Sequence, residues 1–330
     1  MARLQGFKKR VLKPISQLNQ PGAQQERLQQ AIKTIAPGKR LLPGILFAVF
    51  GTLAFSGKAI IVKLAYRHGV DAVTLLMYRM LFAMPIFVFM AWWASRGRHA
   101  LTLKDWLGVV GLGFSGYYLA SFLDFAGLVY ISASLERLIL YLNPTLVMLL
   151  GLLLYKRRAT LGQVVGMAVS YSGVVLVFGH EITLQGADAA WGALLVFLSA
   201  ISYALYMVYS GELVRRLGAI RLVGLASTVA CVFCLLQFAL LRPLSAAWVA
   251  PPVIWLSLLN ATVCTVLPVL MVMLAIERIG ASLSAQIGML GTMSTIVMGV
   301  LILGEPFTAW VVAGTVLVIT GIFMFGRSSR

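Results

Sequence analysis

The sequence predicts an all-α integral membrane protein with ten transmembrane helices, arranged as two inverted five-helix repeats. Three observations lead to this prediction. Hydrophobic residues make up 60% of the 330 residues and only 11% are charged, against about 25% charged in an ordinary soluble domain. Apolar stretches of about 20 residues, the length that crosses a hydrocarbon core about 30 Å thick, recur along the chain. The second half of the chain also repeats landmarks of the first.

The apolar stretches place ten spans, separated by short loops that contain glycine, proline or charged residues. The first stretch begins near Leu41, has full spanning length and lacks a small-residue cleavage pattern, so we expect it to be retained rather than removed as a signal peptide. The predicted spans are residues 43–66, 72–94, 105–128, 132–155, 160–178, 190–212, 220–241, 252–276, 281–303 and 307–326.

The basic residues predict the orientation of these spans. With the amino terminus inside the cell, 21 of the 27 Lys and Arg residues fall on the cytoplasmic side, Arg67 and Arg242 fall outside, and four lie within spans. Positive charge concentrates on the cytoplasmic side of membrane proteins. The chain is therefore predicted to be a multi-pass protein of the plasma (inner) membrane with both termini cytoplasmic. The same distribution explains the formal charge of +17 without a nucleic-acid partner.

Residues 1–40 form a predicted cytoplasmic tail, which is polar, Gln-rich and carries nine basic residues. Its apolar spacing fits short basic helices lying on anionic lipid. Its composition fits an unstructured tail equally well, so the sequence predicts either lipid-bound helices or an unstructured tail.

The internal repeat has an offset of 148 residues. Ala133-Ser134-Leu135 recurs as Ala281-Ser282-Leu283, and four further landmarks keep the same register: Gly151 with Gly299, Thr160 with Thr308, Gly166 with Gly314, and Gly173 with Gly321. The predicted repeats cover residues 41–180 and 188–326. Because each contains five spans, the second enters the bilayer from the opposite side, which is the arrangement of carriers that work by alternating access.

Several motifs in this order resemble the EamA family of the drug/metabolite transporter superfamily, over about residues 43–326. They are Ser56-Gly57-Lys58, Tyr78-Arg79, Ile131-Ser132-Ala133-Ser134, Asn143-Pro144 and Leu303-Gly304-Glu305-Pro306-Phe307-Thr308. Two departures are Lys156-Arg157-Arg158, where the family often has an acidic residue, and Gly291-Thr292, where a proline is common. The resemblance implies a two-repeat carrier similar to exporters of amino acids and other metabolites, with relatives that move nucleotide sugars or organic phosphates.

Ionisable side chains within spans are the first candidates for the site, since each costs about 2.5–3.5 kcal/mol to insert and should face a cavity or a partner. Lys63 lies near a helix end and is expected to snorkel. The other five are predicted to lie in the outer half of the membrane, either as an ion-pair network that packs spans 1–4 or as a gate or binding site for a charged substrate. They are Lys58, Arg79, Asp124, Glu136 and Arg137.

Neutral polar and aromatic residues near mid-bilayer are the second candidates, and each either lines a cavity or bonds a neighbouring helix. A proline after Asn143 frees a backbone carbonyl there. These candidates are Tyr118, Tyr141, Asn143, Tyr206, Asn260 and Gln286.

Other classes of function fit the sequence less well. The three histidines fall in predicted loops on different segments, and no phosphate-binding or zinc-binding motif occurs, so neither an enzyme nor a metal or other cofactor is predicted. A channel would show rings of like charge or a repeated filter sequence, and the sequence shows neither. The repeats therefore predict a secondary transporter, and the resemblance to the EamA family implies that it exports a small metabolite such as an amino acid. The alternative is a carrier of lipid, nucleotide sugar or organic phosphate, with a channel or a membrane enzyme less favoured.

Overall fold

The computed structural model describes residues 41–155, 160–288 and 290–327. The predicted tail (1–40) and the Lys156-Arg157-Arg158 cluster lie outside the described residues. The described part of the chain consists of helices joined by short turns, which confirms the all-α class. The helices are α1 (Leu41–Tyr66), α2 (Ala72–Ser95), α3 (Leu103–Leu128), α4 (Ala133–Leu140), α5 (Asn143–Tyr155), α6 (Leu161–Gln185), α7 (Asp188–Leu217), α8 (Ala219–Leu241), α9 (Pro251–Ala261), α10 (Leu267–Gly288), α11 (Leu290–Met298) and α12 (Ala309–Arg327).

Helix lengths agree with a membrane protein. Eight helical segments of the described chain are long and apolar enough to cross a bilayer, and Met293–Leu303 and Ala309–Met324 are shorter apolar helices at the ninth and tenth predicted positions. Large apolar side chains such as Leu153, Val175 and Leu301 are exposed on the outside of the bundle. A bundle with this surface is stable in lipid rather than in water.

The seven tryptophans mark the two ends of the bundle. They lie in or beside the first or last turns of helices, as in the aromatic belts of membrane proteins. Trp92, Trp93 and Trp106 lie where α2 ends and α3 begins, a side that we name the α2–α3 face. Trp191, Trp248, Trp255 and Trp310 lie at the opposite end, where α1 ends and α2 begins, which we name the α1–α2 face.

Asp71 fixes the start of α2 at the α1–α2 face. Its Oδ1 accepts hydrogen bonds from the backbone N–H groups of Val73 and Thr74, the usual role of an N-cap carboxylate. Partial burial alone would raise the pKa of the Asp71 carboxyl, but hydrogen bonds from Thr74 and Arg242 outweigh it and hold that pKa below its usual value. The carboxylate therefore stays ionised and keeps its cap.

The fourth predicted span is broken into two helices. The chain turns at Tyr141 and Leu142, between α4 and α5, because Pro144 has no N–H for the Leu140 carbonyl. The Asn143 side chain replaces that donor, with Nδ2 2.9 Å from the Leu140 oxygen. The break brings polar backbone and the Asn143 side chain to the middle of the bundle.

Two expected loops are helical instead. The fifth span was predicted to end at residue 178, but α6 continues to Gln185 and includes His180, which stacks on Trp310. The turn expected at 277–280 is absent, since α10 runs on to Gly288. Both segments lack proline, which would have ended or kinked the helix.

Wide π-helical turns interrupt the helices at equivalent places in the two halves. One covers Gly113–Leu119 within α3, and another covers Thr262–Val266 between α9 and α10. Shifting the first by 148 residues places it over the second. Such turns often occur at functional sites because they redirect side chains and free backbone groups.

The contacts between the two halves are reciprocal. Helix α1 packs on α10 as α3 packs on α7, and α2 packs on α8 and α6 on α12. Gly173 and Gly314 meet on α6 and α12, where a Cβ on Gly173 would lie 2.6 Å from the Gly314 oxygen. The residues related by the offset, Gly321 and Gly166, meet in the same way, with 2.5 Å to the Gly166 oxygen. This is the contact pattern expected if a pseudo-two-fold axis relates the two halves.

The α6–α12 seam gives a stability prediction. Gly173→Ala is expected to cost about 1–3 kcal/mol, because the new methyl group has no room and the helices must separate. Gly179→Ala is the control, since it lies on the same helix with nothing within 4 Å of an added Cβ. Thermal unfolding of the purified protein in detergent measures both. Equal melting temperatures for the two variants would contradict the close packing of this seam.

Candidate functional site

A cavity of about 300 Å³ lies in the middle of the bundle. Residues of α1, α2, α3, α4 and α5 line it from the first half, and residues of α7, α8 and the α9–α10 junction line it from the second. Both π-helical turns contribute, through Gly116 and Tyr117 in one and Thr265 in the other. The volume is at the lower end of the range for small-molecule sites.

Six of the predicted site residues line this cavity. They are Lys58, Arg79, Asp124, Arg137, Tyr141 and Asn143. Helical spacing alone could not show that these side chains converge, because they come from five different helices.

Lys58 lies between two carboxylates. Its Nζ is 2.6 Å from Asp124 Oδ2 and 3.1 Å from Glu136 Oε1. All three residues are buried, and Glu136 is fully inaccessible to solvent. One cation therefore compensates two anions, which joins α1, α3 and α4. This part of the predicted ion-pair network forms, and Glu136 reaches the site only through Lys58.

The two arginines are held differently, by neutral hydroxyl groups of the second half. Arg79 Nε donates to Thr265 Oγ1 at 3.0 Å, and Arg137 Nε donates to Thr295 Oγ1 at 2.9 Å. Each guanidinium also lies near a phenylalanine ring, Arg79 by Phe125 and Arg137 by Phe55. Within the described residues, neither arginine has a carboxylate within 4.0 Å.

Four cavity-lining residues have a buried polar atom without a hydrogen-bond partner among the described residues. These atoms are Arg79 Nη1, Asp124 Oδ1, Asn143 Oδ1 and Ser227 Oγ. Buried polar groups are normally satisfied, since an unsatisfied one costs about 1–3 kcal/mol. A polar ligand in the cavity would supply partners for these four atoms.

Three further predicted residues, Tyr118, Tyr206 and Asn260, are not among the residues that line the cavity. Tyr118 packs against Phe114 and Phe233, and Tyr206 stacks on Tyr203 and shares a hydrogen bond with Tyr117. Asn260 is buried in α9. Gln286 lies within α10, but its side chain lies outside the described residues.

Sequence reasoning did not single out several residues that line the cavity. They include Phe55, Tyr117, Ser121, Ser199, Ser227 and Thr265. A signal existed for Ser227, which is the repeat equivalent of Arg79 at the offset of 148. The others carry no charge and no unusual spacing, so only the packing of the helices reveals them.

Hydrogen bonds join neighbouring segments at the α1–α2 face, beyond the cavity. Lys63 Nζ donates to the Leu128 and Ile131 carbonyls, and Arg67 Nη2 donates to the Leu303 carbonyl at 2.6 Å. Glu305, in the turn before α12, accepts hydrogen bonds from the first N–H groups of α4. Segments of both halves are thus tied together at this end.

A membrane-embedded bundle of two similar halves, with a polar cavity between them, defines the class of membrane transporters. The sequence profile described as the EamA-like transporter family matches the chain twice, over residues 42–179 and 190–327. The chain belongs to this family of transporters, which are not enzymes.

Individual relatives agree with this assignment. The chain is 30% identical over 294 residues to "Uncharacterized transporter YcbK" of Bacillus subtilis (strain 168), covering 84% of this chain and 92% of the relative. It is 23% identical to "Uncharacterized transporter YetK" of the same organism, covering 85% and 86%. A solved crystal structure is similar with a TM-score of 0.58 and 16% identity, covering 86% of this chain and 98% of that one. That likeness concerns the fold alone.

Proposed function

We propose that this protein is a secondary transporter that exports a small metabolite, such as an amino acid or related compound, across the plasma (inner) membrane. The observation that carries the proposal is the central cavity, which both halves line with buried polar groups. A volume of about 300 Å³ favours a small metabolite over a lipid or a nucleotide sugar. The export direction follows the resemblance to metabolite exporters.

The proposed mechanism is alternating access between two inverted repeats. The reciprocal contacts of α1 with α10 and of α3 with α7 support it, because exchanging the conformations of two similar halves opens the cavity first to one side and then to the other. The distribution of basic residues supports cytoplasmic termini, which makes the α1–α2 face external. The hydrogen bonds at that face then act as the external gate.

Filling the cavity is expected to stop transport. Ser227 is buried, lines the cavity and has no hydrogen-bond partner for its hydroxyl among the described residues. Ser227→Leu should lower flux at least tenfold, since the larger side chain occupies the space of the substrate. The measurement is counterflow of radiolabelled amino acids, nucleosides and sugar phosphates in liposomes that contain the purified protein.

The matched control is Ser172→Leu, because Ser172 is exposed and its hydroxyl bonds only its own helix. This variant should transport at the wild-type rate. Wild-type flux in Ser227→Leu would exclude the cavity as the route, and the absence of counterflow for every compound in the wild type would contradict the proposed function.

A further inference from the structure

We infer that the cavity binds an acidic group of its substrate, a carboxylate or a phosphate, between the guanidinium groups of Arg79 and Arg137. This inference rests on the proposed transport function and adds the chemical class of the substrate to it. Four features of the site support it: an unpartnered donor, the orientation of both arginines, the charge of the cavity and its apolar walls.

The unpartnered donor belongs to Arg79. Its side chain is 6% exposed, and Nη1 is buried with no acceptor among the described residues. A buried N–H donor of a charged group is unfavourable when it has no acceptor. An oxyanion in the cavity would supply the missing acceptor, and it would do so for the strongest kind of hydrogen bond, in which both groups are charged.

The orientation of both arginines is fixed from the second half of the chain. Thr265 Oγ1 donates to the Asn260 carbonyl at 2.8 Å, and Thr295 Oγ1 donates to the Gly291 carbonyl at 3.0 Å. With its proton engaged, each hydroxyl presents a lone pair to the Nε of its arginine. The two guanidinium groups are therefore held in place before any ligand arrives, which lowers the ordering cost of binding.

The charge of the site is positive. Lys58, Arg79 and Arg137 carry three positive charges, against two negative charges when Asp124 and Glu136 are both ionised. Protonation of either carboxyl group makes the site more positive still. Since both carboxylates lie within 3.1 Å of Lys58, the uncompensated charge belongs to the arginines. A ligand with one negative charge brings the site to neutrality.

The rest of the cavity is suited to an apolar body. Phe55, Met80, Phe87 and Val269 line it beside the charged residues. A planar guanidinium fork binds carboxylate and phosphate oxygens in pairs, whereas an uncharged amide offers only one acceptor. We therefore expect the site to distinguish benzoate from benzamide, which have similar size and differ in charge.

Binding of these two probes to the purified full-length protein in detergent tests the inference, by titration calorimetry at low chloride. Benzoate is expected to bind to saturation of the site, and benzamide to bind at least tenfold more weakly. Phenylphosphonate in place of benzoate shows whether carboxylate or phosphate is preferred, and either preference agrees with an oxyanion site. Equal binding of benzoate and benzamide, or no binding of either anion, overturns the inference.

Arginine variants locate the binding. Arg79→Gln and Arg137→Gln should each weaken benzoate binding by about tenfold to a hundredfold, which corresponds to the loss of a charged hydrogen bond. Arg96→Gln is the matched control, because Arg96 stacks on Trp92 outside the cavity, and it should bind benzoate like the wild type. Wild-type affinity in both cavity variants overturns the inference.

The binding assay and the flux assay test the oxyanion site and the transport function independently of each other. Counterflow of a neutral compound without benzoate binding leaves the transport function in place and removes the oxyanion site. Benzoate binding without counterflow of any compound leaves the oxyanion site in place and removes the transport function.

Discussion

Lys58→Met is expected to destabilise the protein by about 3–5 kcal/mol, the cost of removing one partner from a buried charge cluster. The variant leaves Asp124 and Glu136 buried together without the cation that lies between them, at 2.6 and 3.1 Å from their oxygens. Methionine fills a similar space and supplies no charge. Thermal unfolding of the purified protein in detergent should show a clear drop in melting temperature.

Removing the two carboxylates as well should reverse this loss. The triple variant Lys58→Met, Asp124→Asn, Glu136→Gln leaves no unpaired carboxylate at this position, and so removes the main cost of the single change. The coupling between the three changes measures the cluster directly. If the triple variant is no more stable than Lys58→Met alone, the three residues do not form the cluster described here.

Features that depend on one segment alone could be predicted from the sequence. The length of the apolar stretches predicted the helices and their class, because each span must satisfy its own backbone in lipid. The intramembrane charges Lys58, Arg79, Asp124 and Arg137 were predicted as site residues, since lipid makes an unpaired charge costly enough to be conspicuous in a sequence. All four line the cavity.

Other features depend on contacts between distant segments and have no local signal. The wide turn at Gly113–Leu119 follows no periodicity that the sequence displays. The role of Thr265 as the acceptor for Arg79 requires α2 and the α9–α10 junction to meet. The prediction of a loop at residues 277–280 was wrong, since α10 is continuous there. The charged residues Glu277 and Arg278 form helices readily and do not by themselves indicate a loop.

Glu305 is the site of the second large effect. Its Oε1 accepts a hydrogen bond from the Ala133 backbone at 2.7 Å, and its Oε2 accepts bonds from the backbone and the hydroxyl of Ser134. The first N–H groups of a helix have no partner within the helix and favour a negative charge. A carboxylate from the turn before α12 therefore caps α4, and so links the two halves at the α1–α2 face.

Glu305→Gln keeps the size of the side chain but removes its charge and replaces one acceptor oxygen by a donor. We expect a loss of about 1.5–3 kcal/mol, the usual worth of hydrogen bonds to a charged group. The control is Asp188→Asn, because Asp188 is exposed in the first turn of α7 at the same face, and a surface change of this kind stays within about 0.5 kcal/mol.

Chemical labelling from outside the cell adds a functional readout. A cysteine placed at Ser121, which lines the cavity, should react faster in Glu305→Gln if this cap holds the external gate closed. Unchanged stability together with an unchanged labelling rate would show that the two halves are held together at this face by other contacts.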